Sequence, residues 1–171
     1  YPGATHTRFA HSLGVFHVAR RLCKIIHGLQ DNFNDSDERQ QTVLAAALLH
    51  DVGHGPFSHA FEDVLKRMKF EHSHEIISGR IIKDSSIGRI LSDFREGFNE
   101  EVARVITPGY KDIYAAVVSS QFDADRLDYI LRDRMMTGTS LGMVDLEWLL
   151  SNLQIGHLES LNSDNADIET I

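Results

Sequence analysis

Apolar residues at Phe9, Leu13, Phe16, Leu22, Ile25, Ile26 and Leu29 recur with helical spacing and predict one long helix over 8–29. Thr7, just before it, suits the N-cap. The stretch 30–41 is polar and turn-like, which predicts a surface loop with Asp35 or Ser36 near a cap. Residues 43–49 are good helix formers, apolar on nearly all sides, as a central buried helix requires. Pro56 is placed to open a further helix through Phe57, Phe61, Val64, Leu65 and Met68. Another helix is predicted over 70–83, and one or two short ones over 85–107, ended by Pro108-Gly109-Tyr110. A helical face over 113–134 and a short helix over 145–153, with Trp148 in the core, complete the α pattern. Residues 153–171 predict a strand, a turn at 162–165 and a second strand. The fold class expected is therefore all-α with a minor C-terminal β element.

Composition narrows the classes. The chain has 171 residues, enough for one domain with a real core. It opens at Tyr1 without Met, and we expect residues 1–171 to be one domain cut from a longer chain. No apolar run is long enough to span a bilayer and no signal peptide is visible, so no membrane partner is expected. The single Cys23 excludes an internal disulfide and fits a reducing, intracellular compartment: the cytoplasm, or the nucleus in a eukaryote. A net charge of −8 argues against general nucleic-acid binding. A polyanionic substrate then needs a metal and local Arg or Lys to offset the field. Of ten histidines, four fall between His50 and His72, which points to the chemistry.

The apolar helix ends in the adjacent pair His50-Asp51. Burying an uncompensated charge there is costly, and a cation resolves the problem. A mixed imidazole and carboxylate set suits Mn, Fe, Zn or Mg better than Ca. Gly53 and Gly55 let the backbone turn sharply after the pair. Beyond the turn come His54 and His59, with Glu62 three residues and Asp63 four residues after His59, so that a carboxylate can orient the imidazole. Arg8 and His11 share a face of the first helix, presenting a cation beside a ligand. His72 and His74 are two apart and face opposite ways on a helix, so at most one points at the site. Asp125, Tyr129 and Asp133 form one face further on, flanked by Arg126. Asp123 suits a cap, and Asp128 with Arg132 makes an i,i+4 ion pair on another face. Each feature has a plain alternative: a Gly-Pro turn after a helix end, a core histidine at His11, a solvated Asp-Tyr-Asp face.

The blocks YPGATHTRFAHSLGV, HDVGHGPFSHAFE, HEIIS and DADRLDYILRD, in that order, carry a resemblance. His11, His50-Asp51 and Asp125 match the H…HD…D pattern of the HD-domain metal phosphohydrolases. The wider blocks resemble the deoxynucleoside triphosphate triphosphohydrolases of that superfamily. The resemblance implies an HD-domain helical bundle in which His11, His50, Asp51 and Asp125 hold one divalent metal. It implies that His54, His59 and His74 line the α-phosphate, with His59 as general acid and Glu62 supporting it. Arg8 and Arg126 match phosphate-contacting positions. Tyr129 and Asp133 match positions that read the deoxyribose, Asp133 near the 3′-hydroxyl. Cleavage between the sugar 5′-oxygen and the α-phosphorus would release a deoxynucleoside and inorganic triphosphate. A homo-oligomer, dimer or tetramer, with effector nucleotides at subunit interfaces is also implied. Two other readings stay open: an HD phosphohydrolase of another phosphoester, and a non-catalytic nucleotide-binding module.

Overall fold

In the computed structural model, residues 2–29, 36–70, 73–110, 112–140 and 142–154 are described. They form α1 (Arg8–Leu29), α2 (Ser36–Leu49), α3 (His59–Arg67), α4 (His74–Asp84), α5 (Ser86–Phe94), α6 (Phe98–Ile106), α7 (Ala124–Thr137) and α8 (Leu146–Ser151). A 3₁₀ turn, Ala115–Val117, precedes α7. Among the described residues the fold is all-α, as the apolar pattern requires. The predicted strand pair lies almost wholly outside them, beyond residue 154.

The limits of α1 follow its pattern and its cap. Thr7 Oγ1 accepts from the Ala10 amide at 3.1 Å. Val15, Val18, Ala19, Leu22 and Cys23 turn inward, where α1 packs on α2 and α7. The α2 stripe Val43, Ala46 and Ala47 closes the same core. Helix α6 supplies Phe98, Val102, Ala103 and Ile106 and contacts both α2 and α4. Burial pushes the Cys23 thiol up to about 12, which leaves it protonated and unreactive.

Three local expectations are corrected. Helix α2 reaches back to Ser36, so the polar run to Gln41 is helical rather than loop. Glu, Arg and Gln are good helix formers, and Glu38 is held by Arg95 at 2.9 Å. Helix α3 starts at His59 and not at Pro56. Phe57 and Ser58 adopt φ of 63° and 52°, left-handed conformations that no α-helix continues through, and Phe57 is 90% exposed. Trp148 is 62% exposed instead of buried. Leu150 takes the core position, and a residue two places away on a helix points to the other side.

The turn after His50-Asp51 is fixed by contact. Ser78 of α4, fully buried, donates its hydroxyl to the His50 carbonyl at 2.8 Å and accepts from the Gly53 amide at 2.9 Å. A Cβ on Gly53 would lie 2.4 Å from both the His74 carbonyl oxygen and the Ser78 amide. Those are backbone atoms of a packed helix, so they cannot swing aside. Gly53→Ala is therefore expected to destabilise the protein by about 1–3 kcal/mol, the usual cost of overpacking. Urea unfolding checks it, and an unchanged midpoint would contradict the close approach.

Candidate metal centre and active site

Four elements meet at the turn: the start of α1, the end of α2, the start of α4 and the first turn of α7. His11 Nε2 lies 2.9 Å from Asp125 Oδ1 and 3.9 Å from Asp51 Oδ2. His50 Nε2 lies 3.2 Å from Asp51 Oδ1 and 3.6 Å from Asp125 Oδ1. The helices thus bring together His11, His50, Asp51 and Asp125, residues separated by more than a hundred positions in the chain. Ligand atoms of His11, His50 and Asp51 all lie within 4.8 Å of one another.

This group fits a divalent cation on its own chemistry. His50 Nδ1 donates to the Ala47 carbonyl at 2.8 Å, which leaves Nε2 as the lone-pair nitrogen. That Nε2 is buried, makes no well-aligned hydrogen bond, and faces the carboxylates of Asp51 and Asp125 at 3.2 and 3.6 Å. A buried nitrogen that shares its space with two carboxylates, neither of them well aligned to it, is the arrangement a bound cation explains. Two imidazoles with two carboxylates form the nitrogen and oxygen set that borderline and hard first-row ions favour.

A second cluster adjoins the first through Asp51. His54 Nε2 lies 3.4 Å from Asp51 Oδ1. The His54 and His74 rings stack at 3.8 Å, 13° from parallel. His74 Nδ1 donates to Glu62 Oε1 at 2.7 Å. His59 Nδ1 lies 3.7 Å from the other Glu62 oxygen, and its side chain is 77% exposed. Glu62 therefore pairs mainly with His74 and only loosely with His59. Ligand atoms of Asp51, His54 and His74, and of His59, Glu62 and His74, form two more compact groups. His74 of the 72/74 pair faces the site; His72 lies outside the described residues.

Arg8 covers the junction. Its guanidinium donates to Asp51 Oδ2 at 2.5 Å and to the Ser58 hydroxyl. Ser58 precedes α3 without capping it by its side chain, since that hydroxyl serves Arg8. The remaining predicted residues lie further out. Arg126 is exposed, and its amide is bound by the cap residue Asp123 at 2.8 Å. Tyr129 and Asp133 continue the Asp125 face of α7, Asp133 about 12 Å along the axis at 1.5 Å per residue. Asp133 pairs with His6 Nε2 at 3.1 Å, a partner that the sequence pattern did not single out.

Burial opposes every charge in this group, but the pairings override it. Hydrogen bonds to Asp125 and Asp128 carry the His11 pKa up to about 9. His50 is raised for the same kind of reason, through Asp125 and Asp51. The Asp51 carboxyl falls to about 2 under His54, His50 and Arg8. Asp125 and Glu62 are also held low, by His11 and His50 and by His74 and His59 respectively.

One further residue enters that sequence reasoning placed elsewhere. Asp128 is buried, and its Oδ2 accepts from His11 Nδ1 at 2.8 Å while it also pairs with Arg132. It belongs to the surroundings of the site as well as to an i,i+4 pair. A cavity of about 260 Å³ between α2 and α6, lined in part by Arg39, Glu101 and Arg104, shares no residue with the site.

The chain is similar to several known proteins. The uncharacterized protein YwfO of Bacillus subtilis is 43% identical over 152 residues, 88% of this chain and 34% of its own length. A Dictyostelium discoideum protein named deoxynucleoside triphosphate triphosphohydrolase SAMHD1 homolog is 33% identical over 149 residues, 82% of this chain and 29% of its own. The crystal structure of a phosphohydrolase from Bacteroides thetaiotaomicron matches with a TM-score of 0.73 at 34% identity, over 91% of this chain and 36% of that one. The chain spans about a third of the length of these relatives. Among its described residues no helix is long and apolar enough to cross a membrane. The family model described as HD domain matches residues 8–130, a span that holds His11, His50-Asp51 and Asp125, and the chain belongs to that family.

Proposed function

We propose that the full-length protein hydrolyses deoxynucleoside triphosphates to a deoxynucleoside and inorganic triphosphate, using one divalent metal held by His11, His50, Asp51 and Asp125. The observation that carries this reading is the joining of two clusters at Asp51: a set fit for a cation, and a histidine set around Glu62 beside it. The resemblance of the four sequence blocks and the named Dictyostelium relative support the substrate class.

When bound, a divalent ion supplies polarisation of a phosphoryl oxygen and a water acidic enough to attack near neutral pH. The chain's own residues do the rest. Arg8, anchored by Asp51 and Ser58, offers charge to the phosphate oxygens, joined by exposed Arg126. These cations offset a net charge of −8 that otherwise repels a triphosphate. His54 and His74 flank the α-phosphate, and Glu62 orients His74 through Nδ1. His59 gives its proton to the departing 5′-oxygen. Tyr129 and Asp133 read the deoxyribose. Effector nucleotides and a homo-oligomeric assembly belong to the same proposal.

Metal affinity should depend on pH in a stated direction. His11 must be neutral to ligate, and without metal its pKa is about 9. Below that value a proton has to leave when the ion binds, so affinity rises as pH rises toward 9. Calorimetry at pH 7.5 in buffers of different ionisation enthalpy should show proton release. An affinity independent of pH between 6.5 and 8.5 would contradict this account of His11.

Product analysis tests the proposal itself. The full-length protein is incubated with each dNTP and Mn²⁺ or Mg²⁺, with and without GTP. Deoxynucleoside with triphosphate supports it. Release of a dNMP with pyrophosphate, or of orthophosphate, assigns another phosphoester chemistry to the same site.

A further inference from the structure

We infer that Asp128 is a positioning residue for the metal centre: from α7 it fixes His11 with its proton on Nδ1 and its Nε2 turned toward Asp125 and Asp51. The inference rests on the reading of His11 as a metal ligand. Its geometry is complete on both sides of the imidazole. Nδ1 donates to Asp128 Oδ2 at 2.8 Å, and Nε2 lies 2.9 Å from Asp125 Oδ1. Asp128 is itself held still, by Arg132 Nε on Oδ2 at 2.8 Å and Nη2 on Oδ1 at 2.9 Å. A buried carboxylate shared between a guanidinium and an imidazole cannot turn away from either.

Helix α1 is shaped to admit this pair. Gly14 lies three residues after His11, on the same face. A Cβ there would sit 1.8 Å from Asp128 Oδ1 and 2.4 Å from Arg132 Nη2. The glycine therefore makes the space into which α7 delivers the carboxylate. His50 shows the same logic with a different acceptor, since the Ala47 carbonyl takes its Nδ1 proton. Both imidazoles are thus pinned through Nδ1 and present Nε2 to one point. An i,i+4 pair that served only α7 would need Arg132 but not His11, and that difference is measurable. Carboxylates behind a ligating histidine set its tautomer and raise its basicity, and their loss costs about 10–100-fold in metal affinity.

The test uses the full-length protein. Mn²⁺ affinity is titrated by calorimetry for wild type, Asp128→Asn and Asp125→Ala, and the melting of each metal-free protein is recorded. In parallel, wild type labelled with ¹⁵N-histidine is loaded with Zn²⁺ and the His11 nitrogens are observed. The expected result is a loss of affinity of about 10–100-fold in Asp128→Asn, with a near-complete loss in Asp125→Ala. The His11 spectrum should show a slowly exchanging proton on Nδ1 and none on Nε2. Wild-type affinity in Asp128→Asn, with Asp125→Ala impaired, overturns the positioning role and leaves the metal reading intact. Wild-type affinity in both variants removes the metal reading and this inference with it. The spectrum decides even if Asp128→Asn does not fold: a His11 proton on Nε2, or ligation through Nδ1, overturns the inference.

Discussion

Asp125→Ala in the full-length protein is expected to lose both its divalent metal and its turnover. Asp125 is the residue that ties the two imidazoles together, at 2.9 Å from His11 Nε2 and 3.6 Å from His50 Nε2. Its carboxyl is held well below the usual range by those two histidines, so it is anionic at any working pH. Removing it takes one of two negative ligands from the proposed site and leaves Asp51 alone to balance a dication. The loss should exceed the roughly 10–100-fold that follows removal of a mere supporting residue. The fold should survive, because Asp125 is partly exposed in the first turn of α7 and contributes nothing to the apolar core. Metal content after dialysis and turnover on dNTPs are the two readouts. A folded variant that kept one metal per chain and full turnover would remove Asp125 from the site.

His59→Ala is expected to give the opposite pattern: metal retained, turnover reduced by about 10²–10⁴, the usual contribution of a general acid. The side chain is 77% exposed on α3 and holds Glu62 only at 3.7 Å. Its loss should therefore shift stability by no more than about 0.5 kcal/mol, as for other surface substitutions. His74 offers no such clean test, since its removal would strip the 2.7 Å partner from a buried Glu62. A folded, metal-loaded, slow His59→Ala isolates the proton donor. Turnover equal to wild type, at the same metal occupancy, would move that role to another group.

Much of this architecture was legible in the chain. The sequence specifies both ends of helix α1, because a clean apolar spacing and a Thr7 cap act locally. The pairing of His50-Asp51 with distant His11 and Asp125 was available only through the resemblance, since spacing carries no information about which helices meet. Where the reading fell short, tertiary contact had overridden local pattern. The start of α2 looked like a loop because its residues are polar, yet Glu38 has an ion-pair partner in Arg95. Pro56 suggested a helix start that two left-handed residues postpone to His59. The sequence reading puts Trp148 in the core, whereas the inward side of this short helix belongs to Leu150. The i,i+4 spacing of Asp128 and Arg132 predicts their ion pair, which the structure contains. The second partner of Asp128 lies across the α1–α7 contact, and only the small residue Gly14, three after His11, hinted at so close an approach.

In the proposed reaction, water attacks the α-phosphorus beside His54 and His74. A single turnover of a dNTP by the full-length protein in H₂¹⁸O tests it most directly. One ¹⁸O is expected in the triphosphate, on the phosphoryl group that carried the sugar, with a deoxynucleoside whose 5′-hydroxyl keeps its original oxygen. Label in orthophosphate, in a dNMP–pyrophosphate product pair, or in the 5′-hydroxyl would contradict it.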